Sequence, residues 1–369
     1  MRICSPQLGL APNSVLGGEV FDRQILLGLA KKGVKVEVIL PKNLPHDKKV
    51  KNWDITFLPV AHFPAVFGNL LYLPYLFKIY KKNKFQILRI HQPQFLGIGC
   101  LIFKIFKKDV KLFANYHRFK ETNFGPFSKY INKKWDHIIC DSENVKKKIN
   151  QSYQVPKSKI TVIHNGIPSY LKPTKKDPKL IKTLKLEGKF VMLFMGLFIK
   201  RKNPQFLIDV LDELVKRDKN YAVLFWGEGP LKERIIKKAQ ELGLLENIKF
   251  IKPVFGAKKN KIHNLADIFV HPSLDEGLAL APLEAMACAK PIIMTSGYSS
   301  KEIVEDGKNG YIVRANDIKD WSNKIYALSS NKYLSTRMSI HTLKKVVNDF
   351  NWLKSVQINF EVIKKLTRI

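Results

Sequence analysis

Residues His271 to Val313 read HPSLDEGLALAPLEAMACAKPIIMTSGYSSKEIVEDGKNGYIV. Two glutamates, Glu276 and Glu284, stand eight positions apart, with Gly277 directly after the first. The apolar run Ile268-Phe269-Val270 leads in, Leu280 to Ala289 is rich in helix formers, and Pro291 to Met294 is apolar again. This pattern predicts strand, loop, helix, strand. Glu276 then falls in a loop at the carboxyl end of a strand, and Glu284 one to two turns into the helix that follows. A loop feeding a helix N-terminus aims backbone N–H groups and a positive dipole end at whatever binds there, which suits a diphosphate. Carboxylates beside such an anion repel it. The two acids are therefore expected to face neutral hydroxyls, those of a sugar and a ribose.

The alternation seen in this stretch extends through the chain. In the first half, short β-type runs occur at Val36–Leu40, Ile55–Pro59, Gln86–Ile90, Lys111–Asn115, His137–Cys140 and Ile160–Ile163. In the second half they occur at Val191–Met195, Tyr221–Trp226, Ile248–Ile251, Ile268–His271, Pro291–Met294 and Gly310–Val313. Helix-period runs such as Val20–Lys32, Asn203–Arg217, Gly229–Leu242 and Asp317–Leu328 lie between them. Strands apolar on both faces and separated by helices make parallel sheets covered on both sides. The fold class is α/β, with two tandem doubly wound, Rossmann-like domains of six strands each. Pro168, Pro173 and Pro178 with Lys175-Lys176-Asp177 break the pattern between them. Thr342 to Leu366 reads as one helix. The expected division is 1–170, 171–345, and a terminal helix 346–369. In doubly wound sheets ligands bind outside the carboxyl ends of the strands, so two such domains face to face suit a transfer between two substrates.

The 369 residues suit two domains of ordinary size. Cys4, Cys100, Cys140 and Cys288 lie far apart with no metal-ligand spacing, which points to reduced thiols in a cytoplasmic protein. The start MRICSPQLGL lacks the apolar core of a signal peptide. The most apolar segments, Leu70 to Tyr80 and Phe95 to Phe106, fall short of the ~20 residues that span a bilayer. The formal charge is +33. Residues 1–190 hold 35 Lys/Arg against 12 Asp/Glu, and residues 191–369 hold 29 against 19. Two explanations stay open: a lysine-favouring genome with solvated faces, or attraction to an anionic surface. Lysine dominance favours lipid over nucleic acid within the second, and no aromatic-basic or helix-turn-helix pattern accompanies the charge.

The quoted stretch resembles the C-terminal signature of the GT-B-fold glycosyltransferases of family 4, the retaining group 1 transferases. That signature runs P-S-x-x-E-G-F-G-L, L-E-A-M-A-x-G-x-P, E-I-V and D-G-x-x-G. Here it stands as Pro272 to Leu280, Leu283 to Ala287 with Pro291, Glu302-Ile303-Val304, and Asp306-Gly307 with Gly310. Further segments match in order: the Gly17-Gly18 pair in the loop after the first strand, His117, Ser142 after the last N-domain strand, and Asn165-Gly166. The second half adds Gly227-Glu228-Gly229-Pro230, Ala266-Asp267, and Phe350 with Trp352 opening a helix that crosses back onto the first domain.

The resemblance implies a role for each matching residue. Glu276 and His117 are the expected catalytic residues, Glu276 holding donor-sugar hydroxyls and His117 standing in an active-site loop. Glu284 would hold the ribose hydroxyls. Gly277, Leu278, Ala279 and Leu280 would offer backbone N–H groups, Lys202 would bind phosphate, and Gly17 and Gly18 would admit the diphosphate. The family's G-R at the first strand end of the second domain is here Gly196-Leu197, so Arg201 or Lys200 would take the arginine's place, or Arg201 is a plain surface residue. Ala289 replaces a turn glycine, and Tyr298-Ser299 replaces a glycine pair. His91 and His164 read as structural or edge residues. The implied activity is metal-independent, without cofactor: retaining transfer of a hexose from a nucleotide diphosphate sugar donor to a hydroxyl of a glycan or lipid-linked acceptor. The first domain would take the acceptor, and the basic half would touch an anionic membrane. The rival is a non-catalytic protein of the same fold that binds a nucleotide sugar or a partner.

Overall fold

The computed structural model describes residues 1–14, 16–60, 68–218, 220–276, 278–297 and 299–367. The chain divides into two compact units, Met1–Gly166 with Asn351–Ile369, and Ile167–Phe350.

The first unit holds a seven-stranded sheet of β1 (Arg2–Pro6), β2 (Lys35–Pro41), β3 (Trp53–Leu58), β4 (Ile87–His91), β5 (Lys111–Tyr116), β6 (His137–Cys140) and β7 (Ile160–Val162). The strand order is β3-β2-β1-β4-β5-β6-β7, parallel throughout. The sequence predicts six strands; the seventh, β1, lies mid-sheet between β2 and β4. Its residues RICSP lack an apolar run. Ser5 belongs there because its Oγ donates to Arg89 O at 3.0 Å, which satisfies a buried hydroxyl.

The second unit holds six parallel strands, as expected: β8 (Phe190–Met195), β9 (Tyr221–Trp226), β10 (Ile248–Ile251), β11 (Ile268–His271), β12 (Ile292–Thr295) and β13 (Gly310–Val313). Their order is β10-β9-β8-β11-β12-β13. In each sheet the order reverses once, between β1 and β4 and between β8 and β11. At such a switch point the connections leave in opposite directions and open a crevice beyond the strand ends.

The C-terminal segment differs from the single helix expected. It forms two helices, Lys332–Asp349 and Trp352–Thr367. The break falls where Phe350 O accepts Ile167 N at 3.1 Å and where the Asn351 side chain caps the next helix, accepting Leu353 N at 2.8 Å. Apolar periodicity runs on across the break and hides it. The last helix packs on the Gly17–Lys31 helix of the first unit. Ser355 Oγ donates to His164 O at 2.7 Å. Gly166 is required beside this helix, since a Cβ there would sit 2.3 Å from Trp352 N. All four cysteines are buried and free. Among the described residues, no helix is long and apolar enough to cross a membrane.

Candidate active site

In the second unit the residues after β8 and β11 meet at the switch point. β8 runs into Gly196 and then a 3-10 turn, Lys200–Lys202. β11 ends at His271, and residues 272–279 lead to the Leu280–Ala287 helix. The two connections are laced together. Leu274 N donates to Arg201 O at 2.8 Å, Ser273 Oγ to the same oxygen at 3.2 Å, and Arg201 Nη1 to Asp275 O at 2.7 Å. Glu276 sits in this lacing. Its carboxylate contacts the Lys202 ammonium, pairs with Arg201 Nη1 at 2.8 Å and accepts Ser273 Oγ at 2.9 Å. Burial pushes this carboxyl up, but Lys202, His271 and Arg201 outweigh burial and bring it down to about 2. Arg201 is thus a partner of Glu276 and not a plain surface residue.

Glu284 lies in the second turn of the Leu280–Ala287 helix, buried. It contacts the Lys259 ammonium and lies 3.3 Å from His263 Nε2, both on the Lys258–Leu265 helix. Burial raises its carboxyl, and Lys259 with His263 lowers it further than burial raises it. Lys259 also stands over the Trp226 ring, 5.9 Å from its centroid. The sequence predicts that both glutamates face neutral hydroxyls. Each is paired with cations of its own chain, because a buried carboxylate without a counter-charge is strongly disfavoured. Lys259, His263 and His271 are candidate site residues that the sequence does not single out. The first two come from the polar run KKNKIHNL, upstream of the signature, which carries no apolar periodicity to flag it.

His271, Glu276, Ala279, Thr295, Gly297 and Ser300 line a small cleft in this unit. His271 is buried, and neither of its ring nitrogens has a hydrogen-bond partner among the described residues. Burial, with Lys202 nearby, holds it down to about 3, so it is neutral at physiological pH. Leu278 and Ala279 are buried at the entry to the helix, and Leu280 is its first residue. Gly277 and Tyr298 lie outside the described residues. Gly196 continues from β8, its N–H donating to Trp226 O at 3.0 Å. Asp267 is structural: it accepts Val191 N at 2.8 Å and pairs with Lys176 at 2.7 Å.

In the first unit a polar cluster is buried at the switch point between β1 and β4. Gly17 and Gly18 are not in a loop, as the resemblance implies, but open the Gly17–Lys31 helix, where Leu16 is the cap residue. Asp22, one turn on, is fully buried and contacts Arg89 and His91 of β4. Asn115 Nδ2 donates to Asp22 Oδ1 at 2.8 Å and lies 3.4 Å from His117 Nε2. Burial raises the Asp22 carboxyl, yet Arg89 and His91 hold it well below the carboxylate range. The Glu121 carboxylate fixes the His117 loop, accepting His117 N at 2.7 Å and Arg118 Nε at 3.0 Å. Burial brings His117 down to about 4 against the pull of Glu121 and Asp22. Asp22, His91 and His117 each bring one donor atom within 4.8 Å of the others, a spacing able to hold a metal ion. Arg89 already balances the Asp22 charge, and a divalent ion there would have to compete with it. Asp22 and Arg89 are further residues that the sequence motifs do not mark, although a charged residue inside the strand run ILRIH is a signal. Ser142 follows β6, not the last strand of its sheet, and caps the Glu143–Tyr153 helix, accepting Val145 N at 3.4 Å.

These features agree with comparisons to known proteins. Residues 15–169 match the family described as Glycosyltransferase Family 4, and residues 175–345 match Glycosyl transferases group 1. The chain belongs to this family of GT-B glycosyltransferases. It is 27% identical over 245 residues to an uncharacterized glycosyltransferase of Methanocaldococcus jannaschii, covering 65% of this chain and 63% of that protein. It therefore spans just under two thirds of that relative. It is 26% identical over 355 residues to the capsular polysaccharide biosynthesis glycosyltransferase CapM of Staphylococcus aureus, covering 92% and 90%. The crystal structure of Anabaena HepE in complex with UDP shares the fold, with a TM-score of 0.79 at 17% identity over 99% of this chain and 100% of that one.

Proposed function

We propose that this glycosyltransferase is a retaining, metal-independent hexosyltransferase that uses a nucleotide diphosphate sugar. The arrangement of Glu276 between Lys202 and Arg201, at the switch point of the second sheet, carries this reading. A nucleotide diphosphate leaving group builds negative charge as the glycosidic bond breaks, and fixed cations and helix N–H groups stabilise it. Lys202 and Arg201 supply the cations. Leu280 and Ala281 begin the helix, where N–H groups lack helical partners and suit phosphate. Glu276 then turns to donor-sugar hydroxyls and Glu284 to the ribose hydroxyls. His117 is a neutral hydrogen-bond partner for a hydroxyl, not a strong base. The complex of HepE with UDP supports a nucleotide-linked donor, and the role of CapM in capsular polysaccharide biosynthesis supports an envelope polysaccharide or glycolipid product. On this reading the enzyme works in the cytoplasm, the acceptor binds the first unit, and the basic first half lies against an anionic membrane. A panel of nucleotide sugars with nucleotide release as readout tests it. Release with one donor, lost in Glu276→Gln, supports it. Tight nucleotide binding without release from any donor favours the non-catalytic rival.

A further inference from the structure

The Pro93–Phe106 helix, PQFLGIGCLIFKIF, is apolar nearly all the way round. Its inner face is accounted for: Pro93, Leu96, Cys100 and Phe103 are buried in the first unit. Its outer face is largely exposed, apart from an edge contact of the Phe106 ring with Phe77 at 5.8 Å. Ile98 is exposed, Ile105 and Phe106 are each 66% exposed, and Ile102 lies between them half-buried. Ile98, Ile102 and Ile105 are spaced i, i+4, i+7, so they form one stripe. The short Gly68–Leu71 helix packs beside it and exposes Leu70 and Leu71. A water-facing helix of a doubly wound domain is normally polar on this side.

The rim is cationic. Residues 70–111 hold eight lysines and Arg89 against a single acid, Asp109. Among the described residues Lys78, Lys81, Lys82, Lys84 and Lys108 form no ion pair. Several sit in last helical turns, where the dipole favours them. That accounts for lysines but not for exposed isoleucines. At 14 residues the helix is about 21 Å long, too short for the ~30 Å core of a bilayer.

We propose that this stripe inserts into the headgroup–acyl boundary of an anionic phospholipid membrane, with the lysines on the lipid phosphates. The proposal rests on the membrane reading given above and assigns it to one face. A second copy is a poor occupant, because a two-fold contact would bring the lysine rims together. Nucleic acid would satisfy the lysines and leave the apolar stripe uncovered.

Co-sedimentation with phosphatidylcholine vesicles, with and without phosphatidylglycerol, tests this. The protein should bind the anionic vesicles and keep part of that binding at high salt. I105D/F106D should lower partitioning about tenfold or more and leave only salt-sensitive binding. Equal partitioning of that variant and the unaltered protein would overturn the assignment while leaving the membrane reading intact. No binding to either vesicle would overturn both, and a dimer dissociated by I105D/F106D would overturn the assignment in favour of self-association. If I105D/F106D does not fold, F106W with brominated phosphatidylglycerol decides. Quenching beyond that of the five native tryptophans supports insertion, and none refutes it.

Discussion

Gly18 and His117 are in contact through the space a side chain would fill: a Cβ on Gly18 would lie 2.8 Å from His117 Cδ2. The glycine is needed for the imidazole beside it, since the backbone at that helical position accepts any residue. Gly18→Ala should push His117 from its place. Turnover should fall about 10- to 100-fold, since small misplacement at a reacting centre is costly. The melting temperature should change little. Kinetics and thermal unfolding check this, and full activity in Gly18→Ala would show that His117 is not in the machinery.

Glu276→Gln separates the two tasks at the second site. The change leaves Lys202 and Arg201 without their carboxylate, so a free nucleotide diphosphate should bind as well as before or more tightly. Sugar turnover should drop on the order of 100-fold. Calorimetric binding of the nucleotide alongside steady-state kinetics reads both. Parallel loss of both quantities would contradict the division of labour.

Glu284 and Lys259 should show strong coupling. Removing one partner of a buried pair leaves an uncompensated charge, and costs of about 3–5 kcal/mol are typical. Glu284→Gln alone should therefore destabilise the second unit more than Glu284→Gln with Lys259→Met. A double-mutant cycle by denaturant unfolding measures this, and simple additivity would mean the pair is not formed in solution.

Acid should destabilise the protein in two stages. His117 and His137 are held down to about 4, and His271 to about 3, each chiefly by burial. Their unfolded values lie near ~6.5, so the unfolded chain binds more protons below that pH. Their contribution is complete above pH ~6.5 and is lost as pH falls toward about 4. Glu276, held down to about 2, adds its loss below its unfolded value of ~4.3. The melting temperature should fall steadily from pH 7 to 4.5. A flat profile would mean these imidazoles are not buried neutral.

Ala289 adopts φ +57° in the turn after the Leu280–Ala287 helix. A left-handed residue with a Cβ is strained by about 1 kcal/mol relative to glycine. Ala289→Gly should raise the melting temperature by a few degrees, about 2–4 °C for units of this size. No rise would place the strain elsewhere.

The strand–helix alternation was legible because buried parallel strands read as uninterrupted apolar runs. β1 escaped because RICSP has no such run, and the break at Phe350 escaped because apolar spacing continues across it. At the site, Glu276 and Glu284 were marked by a signature with fixed spacing and Lys202 by its match to a phosphate-binding lysine, whereas Arg201 stood only as one stand-in for a missing arginine. Their counter-charges were harder to find. Lys259 and His263 reach Glu284 from another helix, and Asp22 reaches Arg89 and His91 across the gap between helix and sheet. Contacts of that kind depend on tertiary packing, which no local pattern records.

The return of residues 352–367 to the Gly17–Lys31 helix sets an order of assembly. On the ribosome, residues 1–166 emerge first but lack the piece that covers that helix. Residues 167–350 intervene, which at about 5–20 residues per second takes on the order of 10–40 s. The unit translated in one stretch is able to finish first, while the unit that was begun earlier is completed last.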